Sequence, residues 1–353
     1  MVLSVATHSW SELTTYRENI VTVEQPWHYR RVLVTGATGL LGSWLTAWLV
    51  EQKAEVVALV RDAVPRANFR RLGLNQRVNV VQGSLEDYHL LERTINEYEV
   101  EVIFHLAAQT LVSIANRNPI STFTSNIQGT WNLLEAARRH TDLRALVVAS
   151  SDKAYGTQAD LPYREEAPLV GRHPYDVSKS CVDLIAQSYW HTYQLPVSVT
   201  RCGNFYGGGD LNFNRIVPGT IRSLHQGERP IVRSDGTLRR DYVYIKEAVG
   251  AYVKLAEHML NGDAIGECYN FSTNHPLRVL EMIEEISRLM GRTDLSPVIQ
   301  NQATNEIPDQ FLDGSKAAKE LGWSPHYTLE EGLRETIAWY QEFLDDDAAE
   351  GSK

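Results

Sequence analysis

Two short groups of residues have the types and spacing needed to move protons. One is Ser150-Ser151-Asp152-Lys153, which follows the apolar run Leu143 to Ala149; the other is Tyr175 with Lys179. Tyrosine and lysine four apart on a helix share one face, so an ammonium can lie near a phenol. An unperturbed tyrosine titrates near ~10, and a neighbouring cation favours the phenolate, which makes the group a usable base at neutral pH. A carboxyl such as Asp152 can protonate a leaving oxygen, and Lys153 can act as a base where burial or nearby positive charge lowers its pKa. Out of context, Tyr-x-x-x-Lys arises by chance on many helices and Asp152-Lys153 reads as a solvated loop pair. What gives them weight is the framework that delivers them.

That framework starts at Arg31-Val-Leu-Val-Thr-Gly-Ala-Thr-Gly-Leu-Leu-Gly42. A β-branched apolar run meets glycine at once and is followed by a helical pattern from Leu40 to Val50, so it reads as strand, tight turn and helix. Gly36 permits the sharp turn, Gly39 lets backbone approach a pyrophosphate, and Gly42 lets the helix pack closely on its strand. Gly36, Thr38, Gly39, Leu40, Leu41 and Gly42 are the candidate phosphate contacts. A second strand, Glu55 to Val60, ends at Arg61-Asp62. The arginine suits a 2′-phosphate and Asp62 a ribose hydroxyl, so NAD and NADP both remain open. A third strand, Val78 to Val81, leads past Ser84 and Leu85, two further candidate cofactor contacts, into a helix from Asp87 to Tyr98. The fourth, Val102 to Leu106, runs into Ala107-Ala108-Gln109, where small residues leave room for a cofactor. His105 reads as a hydrogen-bonded core residue. Pro119 to Arg139 is expected to be one long amphipathic helix, and Tyr175 and Lys179 fall on another that opens near Pro174. This alternation predicts an α/β fold, a doubly wound parallel sheet with helices on both faces.

The 353 residues suit one large α/β domain and a smaller second lobe, with 43% hydrophobic and 22% charged residues. No apolar run is long enough to cross a bilayer, so no membrane association is expected. The net charge of −10 argues against nucleic acid as a partner, and a nucleotide ligand would need a local cluster of Arg and Lys. Cys181, Cys202 and Cys268 form no Cys-x-x-Cys pair; no disulfide framework and no metal site is expected, and free thiols suit the cytoplasm. Residues 1–30 read as an N-terminal extension, without signal-peptide character, that Trp10, Trp27 and Tyr29 could strap to the surface. The acidic Asp345-Asp346-Asp347 and the residues after it read as a solvated tail.

Taken together, the glycine turn, the Ser151 strand end and the Tyr175/Lys179 pair resemble the extended short-chain dehydrogenases that act on nucleotide sugars. The likeness extends through His105-Leu-Ala-Ala-Gln109, Arg201 to Gly207, Arg240-Asp-Tyr-Val-Tyr244 and Leu321-Gly-Trp-Ser-Pro325. It implies a dinucleotide-binding domain over 31–203 and a mainly substrate-binding lobe over 204–345, with 346–353 as tail. It also implies that Tyr175 removes a sugar hydroxyl proton, that Lys179 holds the nicotinamide ribose and lowers the tyrosine pKa, and that Ser151 hydrogen-bonds the reacting oxygen. Gln109, Thr110, Asn204, Arg215 and Arg240 become candidate nucleotide-sugar contacts. The cofactor, NAD or NADP, is expected to be tightly bound and recycled, and a homodimer is expected. Epimerases of this family usually carry small uncharged residues at the Asp152-Lys153 positions, so the pair favours a 4,6-dehydratase. In that reading Asp152 is the general acid, and Lys153 takes the C5 proton or stabilises the enolate. Most dehydratases have Asp-Glu here. Ser-Asp-Lys, Gly42-Ser-Trp-Leu45 and Gly207-Gly-Gly-Asp210 are similar to the CDP-glucose 4,6-dehydratases, which makes CDP-glucose the favoured substrate, whereas Arg240-Asp241-Tyr242 follows the broader family. An NDP-sugar 4-epimerase, a UDP-glucuronate decarboxylase-type enzyme and a non-catalytic dinucleotide-binding regulator are the alternatives.

Overall fold

In the computed structural model, residues 26–302 and 307–350 are described. The first half runs β1 (Arg31–Thr35), α1 (Leu40–Glu51), β2 (Glu55–Val60), α2 (Asn68–Arg71), β3 (Asn79–Gln82), α3 (Tyr88–Glu97), β4 (Val102–His105), α4 (Val112–Arg117), α5 (Pro119–Phe123), α6 (Gly129–Arg138), β5 (Ala145–Ala149), α7 (Pro174–Tyr193) and β6 (Val197–Cys202). The second half continues with β7 (Asn204–Tyr206), α8 (Ile216–His225), β8 (Ile231–Val232), β9 (Arg239–Arg240), β10 (Tyr242–Tyr244), α9 (Ile245–Leu260), β11 (Cys268–Phe271), β12 (Leu277–Arg278), α10 (Val279–Leu289), β13 (Val298–Ile299), β14 (Asp309–Gln310), α11 (Ser315–Leu321) and α12 (Leu329–Glu350).

Seven parallel strands form the main sheet in the order β11-β6-β5-β4-β1-β2-β3. Successive residues of each strand feed opposite cores. Val32 and Val34 of β1 join the cluster built with α1 and α9, while Leu33 joins the cluster built with α3, α6 and α7. Burial on both faces is why these strands read as continuous apolar runs rather than alternating ones. Strand order reverses between β1 and β4, so a crevice opens at the carboxyl ends of the strands beside the glycine turn.

The sheet takes its last strand, β11, from well inside the second half. The other strands there are short: β7 pairs in parallel with β10, β9 lies between β12 and β14, and β8 pairs with β13.

Three expectations differ from the fold. The helix expected over Pro119 to Arg139 is divided by a π-helical turn at Thr124–Gln128, which inserts an extra residue per turn where Asn126 faces inward. The acidic run expected as a solvated tail is exposed at Asp345 and Asp346 but helical, continuing α12 to Glu350; Asp345 pairs with His225 at 3.2 Å and Asp346 with Arg71 at 3.1 Å. Of the proposed strap residues, Trp27 is buried and donates to Glu257 at 2.8 Å, whereas Tyr29 is 67% exposed and Trp10 lies outside the described residues. Among the described residues no helix is long and apolar enough to cross a membrane, and no group of His, Cys, Asp and Glu could hold a metal ion. All three cysteines are free.

Candidate active site

A cleft of about 1330 Å³ runs along the carboxyl ends of β1, β4, β5 and β6 and on between α8 and the short strands. On one side it meets the glycine turn. Gly36 has φ +74°, and a Cβ there would sit 2.7 Å from the Ala107 backbone nitrogen; a Cβ on Gly42 would sit 2.0 Å from the Gly36 carbonyl oxygen. Any side chain at either position would therefore force the turn open. The closeness at Gly42 is to the turn itself rather than to the strand body. Gly39 caps α1 without a side-chain hydrogen bond, so the first N–H groups of a twelve-residue helix point into the cleft unsatisfied. Such a cradle fits a pyrophosphate, and the donor set suits a dinucleotide.

The remaining candidate cofactor positions, Thr38, Leu40, Leu41, Arg61, Asp62, Ser84, Leu85, Leu106, Ala107 and Ala108, border the same space. Arg61 and Asp62 are both exposed and pair with each other at 2.7 Å, and Gln82 donates to the Arg61 carbonyl.

Ser151, Asp152, Lys153, Tyr175 and Lys179 converge on the middle of the cleft. β5 ends at Ala149, and a 3-10 turn at Asp152–Tyr155 follows, capped by Ser151 Oγ, which accepts from the Lys153 N–H at 3.2 Å. The same hydroxyl donates to Asp152 Oδ1 at 2.9 Å. Asp152 is 4% exposed, and its other carboxylate oxygen is buried without a partner. Burial raises its pKa to about 6 against the opposing pull of Lys153, the Ser151 hydroxyl and Arg240. At neutral pH a fraction of this carboxyl keeps its proton, which an exposed aspartate would not.

Tyr175 differs from the simple expectation. Burial first, and then the Asp152 charge, push its phenol up to about 12; Arg215 and a Ser151 hydrogen bond pull the other way. Lys179 is not the group that lowers it. The ammonium donates instead to the Ala149 carbonyl at 2.7 Å, and burial lowers its own pKa to about 8. The cost of burying both groups exceeds what their shared helix face supplies.

On the far side, Thr110, Asn204, Arg215 and Arg240 line the cleft. Arg215 is held by Asp210 at 2.9 Å and reaches Thr110 Oγ1 at 3.5 Å; Arg240 is 7% exposed and donates to the carbonyls of Arg239 and Pro308. Arg117, Arg222 and Arg233 also line it, and sequence reasoning missed them because nothing in a lone arginine distinguishes it from a surface charge. Among the described residues the only acids on the lining are Asp62 and Asp152, so a chain of net charge −10 presents a cationic cleft.

Gln109 does not border the cleft. Its side chain accepts from the Leu111 N–H at 2.9 Å, and its backbone is bracketed by Asn126, which accepts from its N–H at 2.6 Å and donates to its carbonyl at 3.2 Å. A turn that consumes both backbone groups and the amide oxygen gives Gln109 a structural part. Asn126 was not anticipated. It donates to Ser178 Oγ at 2.9 Å, and Ser178 in turn donates to the Tyr175 carbonyl at 2.7 Å, so the π-helical turn braces the helix that carries Tyr175. A polar residue inside an apolar helical pattern was the one available signal. His105 is a satisfied core residue, bonded to Thr35 at 2.8 Å and Thr130 at 2.9 Å, with burial holding its pKa near 3.

Comparison with known proteins places these features. The family model described as GDP-mannose 4,6 dehydratase matches residues 33–336. The CDP-glucose 4,6-dehydratase of Salmonella typhimurium is 31% identical over 333 residues, which is 90% of this chain and 92% of that protein. Among solved structures, the dTDP-glucose 4,6-dehydratase of Bacillus anthracis in complex with NAD is 29% identical with a TM-score of 0.78, covering 89% of this chain and 97% of that one. The UDP-glucose 4-epimerase of Thermotoga maritima with UDP-glucose is 27% identical with a TM-score of 0.82, over 89% of this chain and 99% of that one. With the parallel sheet and glycine cradle already described, these matches show that the chain belongs to the GDP-mannose 4,6 dehydratase family.

Proposed function

We propose that the protein is a nucleotide-sugar 4,6-dehydratase that uses NAD, with CDP-glucose as its favoured substrate. The observation that carries this reading is the buried Asp152 carboxyl, its pKa raised to about 6, on the turn beside Tyr175. Oxidation and re-reduction at one carbon, as in epimerisation, need no such acid; loss of water does.

The glycine turn Gly36, Gly39 and Gly42 would hold a nicotinamide dinucleotide, which would supply hydride-accepting and hydride-donating chemistry at the sugar. The rest falls to side chains. Tyr175 takes the C4 hydroxyl proton while Ser151 holds the oxygen, and Lys179 is placed to bind the ribose. Once C4 is a ketone, the C5 proton is acidic; Lys153 takes it or stabilises the enolate, and Asp152 protonates the departing C6 oxygen. Arg215, Arg240 and Asn204 hold the diphosphate, where the guanidinium fork matches phosphate oxygens. Thr110 sits within reach of Arg215 and completes that wall.

The test is product mass. Incubation with CDP-, UDP-, dTDP- and GDP-glucose should yield from CDP-glucose a 4-keto-6-deoxy sugar lighter by one water, and Tyr175→Phe should abolish turnover while dinucleotide still binds. An isomer of unchanged mass would replace this reading with epimerisation. A homodimer is part of the proposal, supported by Trp131, Leu184 and Tyr193, large apolar side chains that α6 and α7 leave exposed; sedimentation at the mass of one chain would remove it. The free thiols suit a cytoplasmic setting.

A further inference from the structure

Trp44 and the loop Gly207-Gly-Gly-Asp210 stand far apart in the chain, and nothing above assigns either a role. In the fold they meet. The Trp44 Nε1–H, on α1 just past the glycine cradle, donates to the Gly208 carbonyl at 2.7 Å. From the other side α12 closes on the same loop: the wholly buried Tyr340 hydroxyl donates to the Asp210 carbonyl at 2.7 Å and lies 3.3 Å from that of Gly207. The loop leaves no room for side chains at its centre. A Cβ on Gly208 would sit 2.2 Å from the Trp339 ring, and one on Gly209 would sit 2.8 Å from the Asn68 Cβ. The position of the loop is therefore set by α1, α2 and α12 together.

What the loop presents is Asp210, which is 6% exposed and does not itself border the cleft. Both of its carboxylate oxygens are engaged. Oδ2 accepts from Arg215 Nη1 at 2.9 Å, and Oδ1 accepts from the Asn212 N–H at 3.0 Å. The Asn212 carbonyl in turn accepts from the Arg215 N–H at 2.9 Å. One carboxylate thus holds Arg215 by its guanidinium and, through Asn212, by its backbone, with Nη2 turned to Thr110 on the cleft wall. The Arg215 side chain is 39% exposed, so the ion pair adds little to stability. What it fixes is a geometry. An arginine with free rotamers must be ordered when it meets a phosphate, and that ordering weakens binding.

We infer that Asp210 is a positioning residue: on a loop fastened by Trp44 and Tyr340, it sets the Arg215 guanidinium in place for the substrate diphosphate before the substrate arrives. This rests on the proposed contact between Arg215 and the diphosphate. Because the loop is tied to α1, the arginine is also kept in register with the dinucleotide cradle at the head of that helix.

The experiment measures by calorimetry, on the dinucleotide-loaded protein, the Kd of whichever of CDP, UDP, dTDP and GDP the wild type binds most tightly; each carries the diphosphate and none can turn over. Asp210→Asn keeps an oxygen for the Asn212 N–H and puts an amide where the guanidinium was held. Affinity should fall about two- to tenfold, the ordering cost of one long side chain, with dinucleotide affinity unchanged. In a protein that also carries Arg215→Ala, the Asp210→Asn change should have no further effect, because Asp210 acts only through that arginine. Trp44→Phe removes the donor to the loop and should weaken the same ligand in the same Arg215-dependent way; it carries the test if Asp210→Asn fails to fold. Unchanged affinity, or a rise of the kind expected if Asp210 merely offsets the charge of Arg215, overturns the inference, and so does an equal loss with and without Arg215. Arg215→Ala separates the two claims. If it weakens binding at least about tenfold while Asp210→Asn does not, only the inference falls; if it leaves binding intact, or if none of the four ligands binds, the reading of Arg215 falls as well.

Discussion

Asp183→Asn removes one half of an ion pair that lies almost wholly out of water. The Arg201 and Asp183 side chains are 2% and 0% exposed, joined through Nε at 2.8 Å and Nη2 at 2.9 Å. The remaining guanidinium nitrogen donates to Tyr155 Oη at 2.8 Å and to the Glu165 carbonyl at 2.9 Å. Loss of the carboxylate strands a buried charge, for which about 3–5 kcal/mol is the usual cost. With an unfolding entropy of about 2.1 cal/mol/K per residue, 353 residues give about 0.7 kcal/mol/K, so the melting temperature should fall by about 4–7 °C. The pair also ties α7, which carries Tyr175, to the end of the turn that carries Asp152. Turnover should therefore fall more than substrate affinity. Scanning calorimetry and steady-state kinetics check both. A double variant, Asp183→Leu with Arg201→Met, should regain most of the stability, because no charge is left unpaired. A drop below about 1 °C in the single variant, or a double variant no more stable than the single, would refute the reasoning.

Gly42→Ala places a methyl 2.0 Å from the Gly36 carbonyl oxygen, so the cradle must open and dinucleotide affinity should fall at least about tenfold by titration calorimetry; unchanged affinity would contradict the cradle. Lys153→Met should stop deuterium from solvent entering C5 of the product, and normal exchange would take the lysine out of the mechanism. The dehydration rate itself should fall as pH rises through about 6, because the useful form of Asp152 is the acid and its pKa is raised by burial. C4 oxidation should rise over the same range, because the useful form of Tyr175 is the base, so parallel profiles for the two steps would be the contrary result.

The glycine cradle, the first five strands of the sheet and the Tyr175/Lys179 helix were legible because each rests on local pattern. Buried parallel strands must be apolar throughout, a phosphate turn needs glycine, and helical spacing fixes a shared face. What was hidden depends on contacts distant in sequence. Cys268-Tyr-Asn-Phe271 is too short and mixed to announce a core strand, and it becomes one only because β6 offers an edge. The inward position of Asp241 follows from Gly203 and Thr273, on separate segments. Spacing placed Lys179 near Tyr175 but gave no measure of burial, which reverses the expected shift of the phenol. Gln109 looked like a ligand contact because of its neighbours, and only the π-helical turn reveals the Asn126 amide that claims its backbone.

The late arrival of β11 bears on how the molecule is assembled. Until residues 268–271 are in place, β6 is a bare outer strand of apolar parallel sheet, an open template for a stray polypeptide. Emergence from the ribosome therefore leaves the nascent chain with one unsealed flank while β7 to α9 are made, and a fragment cut after residue 203 keeps that flank for good. Expression of such a fragment should yield aggregate rather than a free-standing binding module, so the second half of the chain also acts as a seal for the first.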